Sequence, residues 1–438
     1  TRVRSSAASD VYKRQVSLRV PRTPALEMGG AQVADAEIEA RVQWPNAATL
    51  GESNPFDLDE WSARKQVAAI RSGKRITGHT ARLRDEPLWS YLAGGVSDDH
   101  NATTTDEVLE RVRLGAAITV MAGSMNDNTA SVFADVPALG AGVYHICFCA
   151  DDKHVEDLHD QGHIDHHVRE AIRAGVDPVL AWRMATLTAA LYYRLDHLIG
   201  SITPSRLADL QLVPDLAEAL PSAVLVNGAI VAENGKPLFA NTDQMPPVTR
   251  NTIHLHPDLS AQSFAVRAPG ATAWVQAMEM YDGYFKRAFH AELSVSDGAV
   301  QTDTERDVLK VAIVDRHHAT DTIGIGFVRG FNLKKGALAA TTNCENQNLV
   351  MVGVTDQDLA DAARAIKEIG GGYVAVADGK VLATVPLPIA GIMSDQPWEK
   401  VREQSIAANK AAAGLGCTIH SPFMIMAFIG LAGIPDLG

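Results

Sequence analysis

Between about residues 45 and 200, short apolar runs alternate with stretches of amphipathic helical period, the pattern that builds parallel sheets from βα units. The runs are ATLGE (48–52), RITGH (75–79), GGVSDDH (94–100), AAITVMAGS (116–124) and VYHICFCADD (143–152). Helix candidates follow them: PLWSYLAGG after the second, TTDEVLERVRLG after the third and IDHHVREAIRAG after the fifth. Asp106 and Asp165 fall near helix starts, where negative charge suits the dipole. From 201 to 244 the pattern changes to alternating strands, ADLQLV and SAVLVNGAIVAENGKPL, with hairpin turns at Asn227-Gly228 and Asn234-Gly235. This reads as a small β appendage. MPPVTR (245–250) supplies a linker, because its two prolines oppose both a helix and ladder pairing. Residues 245–438 then mix strands (VLKVAIVD, NLVMVGV), a helix (DLADAARAIKEIGGG) and a hairpin turning on Asp378-Gly379, which predicts an α+β domain.

Four polar residues punctuate the first region. Glu52, His79, His100 and Asp151 each stand at the end of an apolar run, about one βα unit apart, with one strand skipped between the last two. In a (β/α)8 barrel the C-terminal strand ends form one rim, so residues tens of positions apart converge there. The predicted fold is therefore α/β: a partial (β/α)8 TIM-type barrel of a metal-dependent hydrolase over 31–200, with the β appendage and the α+β domain after it. Five strands would leave open edges, so either about three strands precede them or the sheet is open. A mixed His/carboxylate set suits Zn²⁺, Mn²⁺ or Fe²⁺. Such an ion lowers the pKa of bound water from 15.7 toward ~7, enough to attack an amidine-like carbon, and Asp151 can take the proton and pass it to the leaving amine.

Other residues have plainer readings. Asp98 and Asp152 read as caps of the helices that follow. His163, His166 and His167 have the spacing of a solvated helix face, with pocket lining as the alternative. Cys147 and Cys149 share one face of a strand as small buried apolar groups. Gly370-Gly371-Gly372 reads as a tight turn, with an independent ligand site in the C-terminal domain as the alternative.

Composition narrows the partners. The 438 residues carry a formal charge of −13 and no basic stripe, which disfavours nucleic acid and anionic membranes. The apolar run 422–434 is shorter than the ~20 residues that span a bilayer. Four cysteines without a CxxC pair fit a reducing, cytoplasmic setting, and assembly into a homo-oligomer is left open. Residues 1–15 lack any period and resemble translated read-through, so residues 1–30 are set aside as a non-native or disordered leader.

Longer motifs carry a family resemblance. GHT (78–80), GVSDDH (95–100), CADDKHVEDLHDQGHIDHHVREAI (149–172), MATLTAA (184–190) and SRLADL (205–210) resemble the bacterial and archaeal adenine deaminases of the amidohydrolase superfamily. So do GIGFVRGFNLKKGALA (324–339), GGGYVAVADGKVLATVPLPIAGIMSD (370–395) and LGCTIHSPFMIMAFIGLAGIPDL (415–437). The resemblance implies a (β/α)8 barrel, a small β-sandwich, a C-terminal domain peculiar to the family, a binuclear Mn or Fe site and a purine substrate, adenine, hydrolysed to hypoxanthine and ammonia. It implies that Glu52 bridges the metals, that His79 and His100 are ligands, and that Asp151 is both ligand and proton acceptor. Two departures stand out. The His-x-His pair that opens the family's barrel is not found in residues 1–45, so an N-terminally truncated and inactive fragment is expected. Cys344 and Gln347 replace histidines of a His-Asp-Ser-His-Asn stretch, which leaves another cyclic amine or amide open as substrate, and a non-catalytic gene fragment as the contrasting reading.

Overall fold

The computed structural model describes residues 15–20, 27–55, 59–80, 83–240, 245–281 and 285–431. The chain divides into two compact units, residues 1–19 with 33–243, and residues 20–32 with 244–438.

Among the described residues, the first unit holds six parallel strands in chain order. β1 (Gln15–Val16), β2 (Thr49–Ser53) and β3 (Arg75–Gly78) form one sheet, and β4 (Asp98–Asp99), β5 (Ala117–Met121) and β6 (Ile146–Cys149) another. The Ser97 amide donates to the Ile76 carbonyl at 3.0 Å, which carries the parallel order from β3 to β4. Helices α1 (Asp35–Arg41), α2 (Glu60–Arg71), α3 (Asp85–Ala93) and α4 (Thr105–Arg113) join the earlier strands. After β6 come α5 (Val155–Asp160), α6 (Ile164–Arg173) and α7 (Pro178–Arg183), the last running on through a π-helical turn at Met184–Thr188.

Local chemistry sets these boundaries. Asp59 accepts the Ser62 amide at 2.8 Å and starts α2, while Thr104 accepts the Glu107 amide at 3.3 Å and starts α4. Asp177 accepts the Val179 and Leu180 amides ahead of Pro178, a residue preset for a first helical turn. All four residues of β6 are buried, as expected of a strand covered on both faces. Ile118, Val120, Ile146, Phe148, Val168 and Ala171 form one cluster around β5 and β6. Leu18, Ile38, Leu50, Ala69 and Ile76 form another around β2 and β3. Each fully buried Ile or Leu contributes roughly 1.5–3 kcal/mol.

One expectation is corrected at the N-terminus. Residues 1–14 lie outside the described residues, but Gln15 and Val16 pair in parallel with Thr49 and Leu50, and Leu18 is 2% exposed. The stretch set aside as a leader therefore contributes a sixth strand. A buried lysine reinforces it: Lys65 on α2 donates to the Leu18 carbonyl at 2.6 Å and pairs with Asp35.

The β appendage belongs to the same compact unit. β7 (Leu210–Leu212), β8 (Ala223–Val226), β9 (Ala229–Glu233) and β10 (Lys236–Pro237) form an antiparallel meander. Its turns have both central residues at positive φ, Asn227 at 51° with Gly228 at 80°, and Asn234 at 48° with Gly235 at 76°.

The second unit is built on nine strands: β11 (Thr272–Tyr281), β12 (Phe285–Ser296), β13 (Ala299–Val300), β14 (Leu309–Val314), β15 (Ile323–Arg329), β16 (Ala337–Ala340), β17 (Leu349–Gly353), β18 (Gly372–Ala377) and β19 (Lys380–Pro386). Their order is β13-β12-β11-β15-β14-β17-β16-β18-β19, and only the β11–β15 pairing is parallel. Helix α8 (Asp356–Ile369) buries Leu359, Ala362, Ala363 and Ile366 against this sheet, and α9 (Trp398–Gly414) and α10 (Pro422–Ile429) complete the α+β arrangement. The three glycines after α8 work as a turn: Gly370 is the left-handed C-cap at φ 76°, and a Cβ on Gly372 would lie 1.9 Å from the Val385 carbonyl. Residues 343–348 form a turn in this unit with Glu345 and Gln347 at positive φ and Asn343, Asn346 and Asn348 buried. Among the described residues no helix is long and apolar enough to cross a membrane.

Candidate metal centre

The carboxyl ends of β2, β3, β4 and β6 deliver the four candidate residues to one rim. Glu52 lies within β2, His79 and His100 follow β3 and β4 by one residue, and Asp151 follows β6 by two. The ligand atoms of Glu52, His79 and His100 lie within 4.8 Å of one another. Two ligands each ~2.1 Å from a shared ion are at most ~4.2 Å apart, so side-chain shifts of under an ångström would close this set on a cation. His79 Nδ1 is 2.8 Å from Glu52 Oε1, and His100 Nε2 is 3.4 Å from the same oxygen and 3.8 Å from Asp151 Oδ2. The two imidazoles meet edge to face, with centroids 5.2 Å apart.

Electrostatics also favour a cation. Burial opposes charge on His100, but Glu52, Asp151, Asp99 and Asp98 outweigh it and hold its pKa above the usual value. Asp151 sits at φ 55°, a left-handed conformation that aspartate tolerates better than most residues. Its side chain remains 41% exposed. The donor set, one carboxylate between two imidazoles with a second carboxylate in reach, fits a divalent transition metal.

The backbone around His79 is held closely. The Gly78 amide donates to Asp98 Oδ1 at 2.7 Å and the Thr80 amide to Asp99 Oδ1 at 3.2 Å. Between them, the His79 amide donates to the Tyr91 hydroxyl oxygen at 2.9 Å, and that hydroxyl donates to the Ser53 carbonyl. Asp99 also accepts the Asn101 amide at 3.0 Å and the Arg111 Nε at 2.6 Å, an ion pair with no exposed side-chain surface on either partner. Asp98 is thus no helix cap: Thr104 takes that role for α4. Asp152 does not cap α5 either, whose N-cap, His154, accepts no amide through its side chain. Burial, followed by the neighbouring Asp151, pushes the Asp152 carboxyl up to about 7.

The chain matches the amidohydrolase family over residues 49–237 and the adenine deaminase C-terminal domain over residues 284–438. The adenine deaminase of Desulforamulus reducens is 39% identical over 429 residues, covering 97% of this chain and 73% of that protein. The chain belongs to the adenine deaminase family. A second adenine deaminase, from Moorella thermoacetica, is 36% identical over 431 residues, covering 95% of this chain and 72% of its own. Among solved structures, a zinc-bound adenosine deaminase from Xanthomonas campestris aligns over 54% of this family member at 15% identity and a TM-score of 0.38, too loose to bear on the site.

The three clustered histidines of this adenine deaminase-family chain do not join the centre. His167 is fully buried, with Nε2 2.7 Å from the Cys149 carbonyl and Nδ1 3.1 Å from the His163 carbonyl. His166 Nε2 pairs with Asp127 Oδ2 at 2.9 Å, and His163 is the N-cap residue of α6. Cys147 and Cys149 are buried and free, and burial pushes both thiols up. A cavity of about 790 Å³ opens at the opposite end of the strands, among Ala48, Lys74, Arg75, Tyr193 and Arg194, and none of the four rim residues lines it. Sequence reasoning missed Thr80, Tyr91 and Arg111; the signal available was only their order along the chain.

Proposed function

We propose that Glu52, His79, His100 and Asp151 belong to the hydrolytic centre of the family's reaction, hydrolysis of adenine to hypoxanthine and ammonia. The observation that carries this reading is the meeting of Glu52, His79 and His100 within 4.8 Å, with Asp151 beside them, in a chain 39% identical to a named adenine deaminase. Glu52, His79 and His100 would hold a divalent cation, Mn²⁺ or Fe²⁺ in preference to Zn²⁺. When bound, such an ion supplies a Lewis acid that brings water's pKa from 15.7 toward ~7.

The protein's own groups do the rest. Asp151, exposed beside His100, accepts the proton of the attacking water on Oδ2 and returns it to the departing exocyclic amine, so the carboxylate is regenerated with each ammonia released. Glu52 contributes negative charge between the two imidazoles and fixes the His79 ring through its 2.8 Å contact.

Conversion of adenine by the Mn²⁺-loaded chain, followed as hypoxanthine and ammonia, tests the reading, with the matching substitution made in parallel in the Desulforamulus reducens relative. Asp151→Asn is expected to lower kcat by on the order of 10²–10⁴ while retaining metal, the range for loss of a positioned proton carrier. Unchanged turnover in Asp151→Asn would remove it from the mechanism. Ammonia from a different cyclic amine, with none from adenine, would reassign the substrate.

A further inference from the structure

The two aspartates before His100 do more than end a strand. Within the span Gly78–Thr80, the flanking amides are taken by the side chains of Asp98 and Asp99, and the central amide is shared between the Tyr91 hydroxyl at 2.9 Å and the Ser53 carbonyl at 3.2 Å. Asp98 and Asp99 make up β4 itself, paired with Ala117 and Ile118 of β5, so the acceptors cannot move without the strand. Arg111 locks the far side: besides its bond to Asp99, its Nη2 donates to Thr80 Oγ1 at 2.8 Å and to the Leu83 carbonyl at 3.2 Å. Gly78 admits the arrangement because a Cβ there would lie 2.3 Å from the Asp98 carbonyl and 2.6 Å from Val96 Cγ1.

We infer that Asp98 and Asp99, with Thr80, Tyr91 and Arg111, are positioning residues that fix the backbone of His79 relative to His100 and thereby set the affinity of the centre for its metal. The inference rests on the metal reading above. Physically, a ligand strand held at three consecutive amides has little freedom, so the two imidazoles are presented without an ordering cost when the ion arrives. The acceptors carry the effect through hydrogen bonds to neutral amides. An isosteric acceptor without charge therefore preserves it.

Mn²⁺ binding to the purified chain, read from the EPR signal of the free ion, tests this beside thermal unfolding by circular dichroism. Asp98→Ala is expected to raise the Mn²⁺ Kd at least about tenfold, whereas Asp98→Asn stays within about threefold of the parent, the span typical of partners that orient a ligand. Equal weakening by both would mean that only the carboxylate charge matters, and a lower Tm with unchanged Kd would mean the contacts serve stability alone; either result overturns the proposal. Should Asp98→Ala not fold, Thr80→Val and Tyr91→Phe each remove one clamp hydroxyl at smaller cost, and an unaltered Kd in both overturns it equally. A parent chain that binds no Mn²⁺ defeats the metal reading itself, whereas parent binding with indifferent variants defeats only the clamp.

Discussion

Two groups of histidines in the first unit differ in everything except residue type. His79 and His100 are 21 positions apart in sequence and reach the same carboxylate oxygen at 2.8 and 3.4 Å. His163, His166 and His167 lie within five positions, the spacing that usually draws attention as a metal motif, yet they disperse to a helix cap, an ion pair and a buried contact with two carbonyls. The difference lies in the elements that carry them. His163 stands before α6 as its N-cap, and the adjacent His166 and His167 leave the helix in different directions, one to Asp127 and one into the core, whereas parallel strands carry residues of distant sequence to one edge.

Substitution can break this contrast, and the largest effect falls on the rim. His100→Ala should weaken Mn²⁺ binding by more than about a hundredfold, beyond the 10–100-fold that supporting partners give, and abolish adenine turnover at limiting metal. Metal content by elemental analysis after gel filtration checks it. A chain that keeps near-stoichiometric metal would show that His100 is not a ligand.

The second group should act on stability. Burial pulls the His167 pKa down to about 4, against the partial support of the His163 and Cys149 carbonyls. The folded chain therefore keeps this ring neutral while the unfolded chain protonates near 6.5. The stabilising difference is complete above that value and is lost as pH falls from about 6.5 toward 4, an upper limit on the order of 3 kcal/mol. Urea unfolding of the parent and of His167→Gln between pH 4 and 8 should yield a difference curve sloping across that window. A flat difference would show that His167 takes up its proton equally in the folded and unfolded chain.

The smallest effect belongs to His166. Its hydrogen bond, with help from Thr129, holds the Asp127 carboxyl well below its usual range against the opposing effect of burial. Because Asp127 is 39% exposed, His166→Ala should cost only about 0.5–1 kcal/mol and leave Mn²⁺ affinity unchanged. A metal-binding defect in His166→Ala would instead draw the second group into the centre.

The rim residues were legible because a polar side chain ending an apolar run is a pattern written along one dimension. The same holds for the hairpin turns, where Asp378 at φ 55° and Gly379 at φ 71° adopt the geometry that their residue types favour. The clamp around His79 was not legible. It joins Gly78 to Asp98 and Asp99 to Arg111 across elements, and nothing local distinguishes Asp98 from an ordinary cap. The strand Gln15–Val16 was set aside because the residues before it have no period, and two residues are too few to announce a strand. Likewise β11 and β12, ten and twelve residues long, escaped notice although Trp274 and its alternate neighbours follow a two-residue period with one exposed face.

Gly78 has a consequence for how such a centre can change over time. The position that lets β3 and β4 approach within touching distance also adjoins a candidate ligand, so strand spacing and ligand placement are written into one codon. Random drift can explore the solvent-facing helices freely, but any side chain at this point pries two strands apart and separates two imidazoles in the same event. A change at Gly78 therefore acts on the fold and on ligand placement together.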